Sequence, residues 1–354
     1  MERVIRSGRF TMGAEVEAAE AELAAYHGRK HCIMVNSGSS ANLVAVAALN
    51  ETGQLRQMVL VPALAWPTTY SPFVQQGHEF ILDDCDDTWN LKVPLSDYGE
   101  EQIDAVIFVN VLGNPGRIEK VAQWCGERNI PLFEDNCESF GARLGDRLSG
   151  TYGLVSTLSF YHSHQISAIE GGAVLTDNDA IAVACRMLRN HGWTKGVEKP
   201  KKFQDEYKFV MHGYNVRPLE LHAAILREQL KKSDNMAKVR RGNYARLAKV
   251  AREFGLEMPT ITDPNGFNPF NFSFLCENTA QRDYLAGKLR ATSIDCRPIV
   301  GGSYDRQPYC LSVAELLPLS NSHKIHDCGI SIGIPLDTIS GLEYVFLKVL
   351  KETL

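Results

Sequence analysis

The strongest constraint on the fold is an alternation in the first 230 residues. Short apolar runs at 32–35, 58–61, 80–82, 105–109 and 131–133 are bounded by turn residues, and helical stretches separate most of them. Residues 14–26 read as an amphipathic helix, and Ser37-Gly-Ser-Ser40 opens an alanine-rich one at 41–49. Continuous apolar runs this short fit strands buried on both faces. Strands alternating with helices predict an α/β fold with a mostly parallel central sheet. A chain of 354 residues exceeds one ordinary core,. Two long helical patterns, 220–232 and 237–254, are read as a bridge to a smaller C-terminal α+β domain. That domain has strand candidates at 271–276 and 293–298. Its last helix starts near Ser340, with Leu342, Val345, Phe346 and Val349 at helical spacing,. The expected division is a large domain over 1–230 and a small one over 231–354.

Charge and cysteine usage exclude several classes. The net charge of -5 argues against a nucleic-acid or membrane-surface protein,. Lys199, Lys201 and Lys202 are interrupted by Pro200 and lie near Asp205 and Glu206, which reads as a solvated loop. No apolar run approaches the roughly 18 residues of a membrane span, and the first 13 residues lack the apolar stretch of a secretory signal,. The nine cysteines are scattered without a CxxC pair, as expected for reduced thiols rather than a zinc or iron–sulfur site,. The expectation is a cytoplasmic protein without a structural metal.

Three segments carry chemistry. Asn36-Ser-Gly-Ser-Ser-Ala-Asn42 follows a strand and opens a helix, where free amides and the helix dipole make an anion site,. An ordinary glycine turn with a serine cap reads equally well. In Leu132-Phe-Glu-Asp-Asn-Cys-Glu138 an apolar strand delivers Asp135 at its C-terminal end, where open α/β sheets bind ligands,. A helix-capping aspartate is the equal alternative. Thr157-Leu-Ser-Phe-Tyr-His-Ser-His-Gln-Ile-Ser-Ala-Ile-Glu-Gly-Gly-Ala-Val174 crowds two histidines and three serines before a Glu-Gly-Gly turn. A His-x-His metal pair and two incidental loop histidines stay open there.

In this order and spacing, these segments resemble the DegT/DnrJ/StrS sugar aminotransferases, which are fold type I, aspartate aminotransferase-like enzymes dependent on pyridoxal phosphate. The likeness also takes in Phe10-Thr-Met-Gly-Ala-Glu-Val16 and Gly213-Tyr-Asn-Val-Arg217, and so covers nearly the whole chain. One position departs from it. Where those enzymes carry the lysine that binds the cofactor covalently, this chain has His164, and no lysine occurs between Lys120 and Lys195. Imidazole forms no stable imine but moves protons near neutral pH.

The swap resembles the sugar 3-dehydratase branch of the family. A related branch that also has the histidine carries a cysteine-borne iron–sulfur cluster, whereas no cysteine lies between Cys185 and Cys276 here. The resemblance implies pyridoxal/pyridoxamine 5'-phosphate held non-covalently, L-glutamate as amino donor, and a 4-keto-6-deoxy nucleotide sugar, GDP-4-keto-6-deoxymannose first, as substrate. The product would be a 3-deoxysugar of the kind built into lipopolysaccharide O-antigens. By the same likeness, Gly38, Ser39 and Ser159 would bind the cofactor phosphate. Trp66 would stack on the ring, Asp135 pair with its nitrogen, and Glu138 lie near its hydroxyl. Asn215 would reach the phosphate of a neighbouring subunit's cofactor in a homodimer with shared active sites. His164 would take a proton and return it as acid to the departing C3 hydroxyl. Arg9, Phe209, Arg217 and Arg297 are candidates for the sugar nucleotide, with surface ion pairing the alternative for the arginines. Two other readings remain: an aminotransferase whose lysine was replaced by histidine, and a non-enzymatic pyridoxal-binding regulator.

Overall fold

The chain builds one large mixed sheet with helices on both faces and a second, smaller sheet near its C-terminus. The computed structural model describes residues 1–95, 98, 102–310, 313–337 and 339–353. In chain order the strands are β1 (His31–Val35), β2 (Met58–Pro62), β3 (Glu79–Asp83), β4 (Ala105–Val109), β5 (Leu132–Asp135), the short hairpin β6 (Arg143–Leu144) and β7 (Arg147–Leu148), β8 (Val155–Ser159), β9 (Gly172–Thr176), β10 (Asn271–Leu275), β11 (Cys296–Arg297), β12 (Val313–Leu316) and β13 (Gly329–Gly333). The large sheet runs β1-β9-β8-β5-β4-β2-β3-β12. Its neighbours pair in parallel from β8 to β12, and β9 is antiparallel to both β1 and β8.

Both faces of the sheet are covered, as the unbroken apolar runs require. Successive side chains point to opposite faces. In β4, Ala105, Ile107 and Val109 join the core that includes the alanines of helix Gly38–Glu51, while Val106 and Phe108 join the core beneath helix Ile118–Arg128. In β1, Ile33 and Val35 face the first of these cores, and Cys32 and Met34 face a third, with Val16 and Leu23. The small residues of Gly38–Glu51 let that helix lie close on the sheet.

β10, β13 and β11 form a small antiparallel sheet. It shares a separate core with helices Ser233–Glu253, Thr279–Ala291 and Ser340–Thr353, built on Tyr244, Phe272, Phe274 and Phe346. Two details differ from the sequence reading. Of the run 293–298 only Cys296–Arg297 is strand. β12, for which the sequence reading named no strand, lies parallel to β3 at the edge of the large sheet, a pairing set by tertiary proximity that no local pattern announces.

The strand order reverses beside β2. β3 lies on one side of it, β4 and then β5 on the other. The crevice outside the carboxyl ends at such a switch point is where ligands of open α/β sheets bind.

Candidate active site

β5 ends on two acids with different tasks. Glu134 is fully buried and accepts from Asn110 Nδ2 and from the amides of Gly150, Tyr152 and Gly153, so it ties down the turn before β8. Asp135 points toward the crevice and is 4% exposed. Its Oδ2 accepts from Asn42 Nδ2 at 3.0 Å and Thr69 Oγ1 at 2.7 Å, and its Oδ1 from the Cys137 amide at 3.1 Å. These three bonds fix the carboxylate's orientation. A carboxylate has about four acceptor positions, so one further donor fits.

Helix Gly38–Glu51 begins beside it. Ser37 caps the helix by accepting from the Ser40 amide, leaving the amides of Gly38 and Ser39 at the open end,. A Cβ on Gly38 would lie 2.5 Å from Ser159 Cβ and 3.1 Å from Cys137 Sγ, so only glycine lets these parts meet. Helix amides and serine hydroxyls pressed together could hold an anion. Ser39 Oγ also bonds Thr68 Oγ1 at 2.8 Å, in the same helix as Thr69. Trp66, immediately before that helix, is 55% exposed and offers its ring at the mouth.

His164 sits in the irregular loop after β8. Its Nδ1 lies 2.9 Å from the Cys137 carbonyl. A carbonyl only accepts, so Nδ1 donates and Nε2 keeps its lone pair. Phe270 packs edge-on against the imidazole, with centroids 4.8 Å apart at 88°, and Tyr161 does so from 5.9 Å. Burial drives the imidazole pKa down to about 4, against the Cys137 carbonyl and Asp135, which favour the cation. At neutral pH His164 is therefore a neutral base. Glu138 is moved the other way: burial raises it to about 7, Asp135 adds to the rise, and the Leu112 amide opposes it. One step from Asp135, the site thus holds a carboxyl that is protonated for much of the time at neutral pH.

The structure brings Gly38, Asp135, Glu138, Ser159 and His164 together, with Ser39 and Trp66 joined to them through Thr68 and Thr69. The other candidates make local contacts within the chain. Arg9 donates to the Met12 carbonyl, Arg217 bonds Asn190 Oδ1 and His191 Nε2, and Arg297 pairs with Asp295. Phe209 is bridged to Trp193 and exposed. Asn215 is exposed next to Val216, whose carbonyl accepts from the Asn36 amide at the edge of the anion cradle. Sequence reasoning assigned no role to Asn42, Thr69, Gln165, Arg240 or Phe270. Asn42 and Gln165 lie inside quoted motifs and could have been found there. Phe270 and Arg240 arrive from far along the chain without a local signal.

The residues fit a pyridine ring carrying a phosphate. The glycine-only cradle suits the phosphate, Asp135 has room for a protonated ring nitrogen, and Trp66 has a free face.

Comparison with known proteins agrees with this geometry. Residues 1–340 match the DegT/DnrJ/EryC1/StrS aminotransferase family. GDP-4-keto-6-deoxy-D-mannose 3-dehydratase of Escherichia coli O55:H7 is 37% identical over 320 residues, covering 86% of this chain and 82% of that one. The dTDP-4-dehydro-2,6-dideoxy-D-glucose 3-dehydratase of Saccharopolyspora spinosa is 31% identical, covering 95% of this chain and 80% of its own. The solved E. coli GDP-4-keto-6-deoxy-D-mannose 3-dehydratase with bound hydrated PLP superposes with a TM-score of 0.92, at 33% identity over 99% of this chain and 95% of that one. The large sheet, the switch-point crevice and the small C-terminal sheet are thus those of the aminotransferase fold, and the chain belongs to the DegT/DnrJ/EryC1/StrS aminotransferase family.

Proposed function

We propose that the chain is a pyridoxal/pyridoxamine phosphate-dependent sugar-nucleotide 3-dehydratase that removes the C3 hydroxyl of GDP-4-keto-6-deoxymannose, with L-glutamate as amino donor. One observation carries the reading: the loop after β8 holds a histidine, His164, whose Nδ1–H is held by the Cys137 carbonyl and whose imidazole burial keeps neutral at neutral pH. The 3-dehydratase relatives support the substrate class.

When bound, the cofactor supplies an electron sink and, in its amine form, the nitrogen received from glutamate. Asp135 would hold the ring nitrogen protonated. The amides of Gly38 and Ser39 with the hydroxyls of Ser39 and Ser159 would hold the phosphate, Trp66 would cover the ring, and Glu138 would lie at its hydroxyl. His164 leaves the cofactor unattached. Its Nε2 would take a proton from the carbon that carries the cofactor's amine and, once charged, would donate it to the C3 hydroxyl, which leaves as water. Positioned proton transfer of this kind contributes ~10²–10⁴ in rate.

The same proposal makes the enzyme a homodimer with shared sites. Exposed Phe10, Tyr161, Ile169 and Leu219 supply apolar surface for a second copy, and Asn215 would reach the partner's cofactor phosphate. Arg9, Phe209, Arg217 and Arg297 are proposed contacts for the sugar nucleotide. No helix among the described residues is long and apolar enough to cross a membrane. The free cysteines support the cytoplasm as the place of work,.

The test is product analysis. GDP-, CDP-, UDP- and dTDP-4-keto-6-deoxy sugars are each incubated with enzyme, pyridoxal phosphate and glutamate. A 3-deoxy-4-keto product with ammonia release, fastest for the GDP sugar, is expected. An amino sugar as main product overturns the reading.

A further inference from the structure

The loop that carries His164 has no regular structure between β8 and β9, yet its chemistry needs the imidazole aimed one way. The described bonds show how the aim is kept. His164 and Gln165 address two consecutive carbonyls across the crevice: Nδ1 of His164 donates to Cys137, and Nε2 of Gln165 donates to Glu138 and, at 3.2 Å, to Asn268. Behind this pair stands Arg240 on helix Ser233–Glu253. Its Nη1 donates to the Gln165 carbonyl at 2.7 Å and its Nη2 to the His164 carbonyl at 3.3 Å.

Arg240 is 7% exposed, and both of these partners are backbone oxygens rather than a carboxylate. Burying a cation without an opposite charge is costly, and here burial alone brings its pKa down to about 10. A neutral side chain would avoid that cost, so the guanidinium must supply something a neutral group cannot. Its planar fork grips two successive carbonyls at fixed spacing. The next residue completes the grip. Arg241 Nη1 donates to the Phe267 carbonyl at 3.1 Å, in the loop that brings Phe270 against the imidazole. One helix turn outside the site therefore fixes both the backbone of the histidine and the lid on its ring.

We propose that Arg240 is a positioning residue for His164: it clamps the carbonyls of His164 and Gln165 so that the imidazole keeps Nδ1–H on the Cys137 carbonyl and offers Nε2 alone for proton exchange. The proposal rests on the dehydratase reading for its consequence in turnover, while its structural content stands apart from that reading.

The experiment uses the full chain with pyridoxal phosphate, labelled with ¹⁵N-histidine, the His164 signal being assigned by loss in His164→Asn. The groups facing this imidazole are Asp135, His162, Tyr161, Phe270 and the carbonyls of Cys137 and Ser159, and none is altered in the test variants. The parent should show a single neutral tautomer, protonated at Nδ1, that resists protonation well below pH 6.5. In Arg240→Met this should become a tautomer mixture that protonates at higher pH. kcat should fall by about 100-fold with KM for the sugar nucleotide nearly unchanged, as expected when a reacting group is misplaced by about 1 Å. Arg240→Lys should recover part of both. An unchanged tautomer and titration in a folded Arg240→Met, or in Arg240→Lys should the methionine variant fail to fold, overturns the proposal. A tautomer shift in an enzyme that yields no 3-deoxy sugar upholds the positioning and overturns the dehydratase reading instead.

Discussion

The imidazole of His164 can act as a base because its other nitrogen is committed to the Cys137 carbonyl and because burial disfavours its charged form. Replacing it by lysine exchanges a proton carrier for a covalent anchor. In His164→Lys, borohydride should fix the cofactor to residue 164, as peptide mapping will show, and 3-dehydration should disappear; dehydration that persists removes His164 from the proton path. Two opposed pKa shifts also predict how stability depends on pH in the cofactor-free chain. His164 is lowered from 6.5 to about 4, so its contribution is complete above pH 6.5 and is lost as pH falls toward 4,. Glu138 is raised from 4.5 to about 7, so its contribution is complete below 4.5 and is lost as pH rises through 7,. Glu138→Gln, which never carries the buried charge, should therefore be more stable than the parent at pH 8, by on the order of 2 kcal/mol. The gap should close below pH 5. Urea titrations at both pH values measure it; equal gaps refute the assignment. The departure from lysine at 164 was legible in sequence. The direction of either titration was not, since burial is set by Phe270 and the 112 region, distant in the chain.

Among the elements, helix Gly38–Glu51 does most to shape the site. Its existence was readable from Ser37-Gly-Ser-Ser40 and the alanines that follow, although the helix starts three residues earlier than the alanine run suggests. The sequence left an anion site and a plain capped turn equally open, and the proposed cradle rests on the far side of the contact. Ser159, at the end of β8, comes so close that a Cβ on Gly38 would meet it at 2.5 Å. Gly38→Ala must push the helix end away from Ser159 and loosen the cradle. Pyridoxal phosphate affinity, followed by quenching of tryptophan fluorescence, should fall by about 10-fold or more, the loss of roughly one good hydrogen bond to a charged group. The fold itself should survive, because the helix is held by its buried alanine face. Unchanged affinity would mean that the phosphate sits elsewhere.

At the scale of the whole molecule, the shared-site proposal makes a quantitative demand. His164→Asn should disable the chain that carries it, and Asn215→Ala should disable the partner's site. Each pure variant should be inactive or nearly so. Unfolding and refolding an equal mixture should restore about a quarter of parental activity, since half the dimers are mixed and one of their two sites is intact. No recovery in a dimeric mixture would place Asn215 outside the partner's site. What the sequence by itself determined is the alternation that forces a doubly covered parallel sheet, the acid at the end of β5 and the histidine after β8. These are local patterns, fixed by the periods of strand and helix and by the identity of single residues. What only the tertiary structure decided is the use of those residues. β9 turns antiparallel, β12 crosses to the large sheet, Asn42 and Thr69 orient Asp135, and Arg240 with Phe270 confines His164. Burial and hydrogen-bond partners are properties of three-dimensional proximity, and residues such as Arg240 and His164 share a site only once the chain has folded.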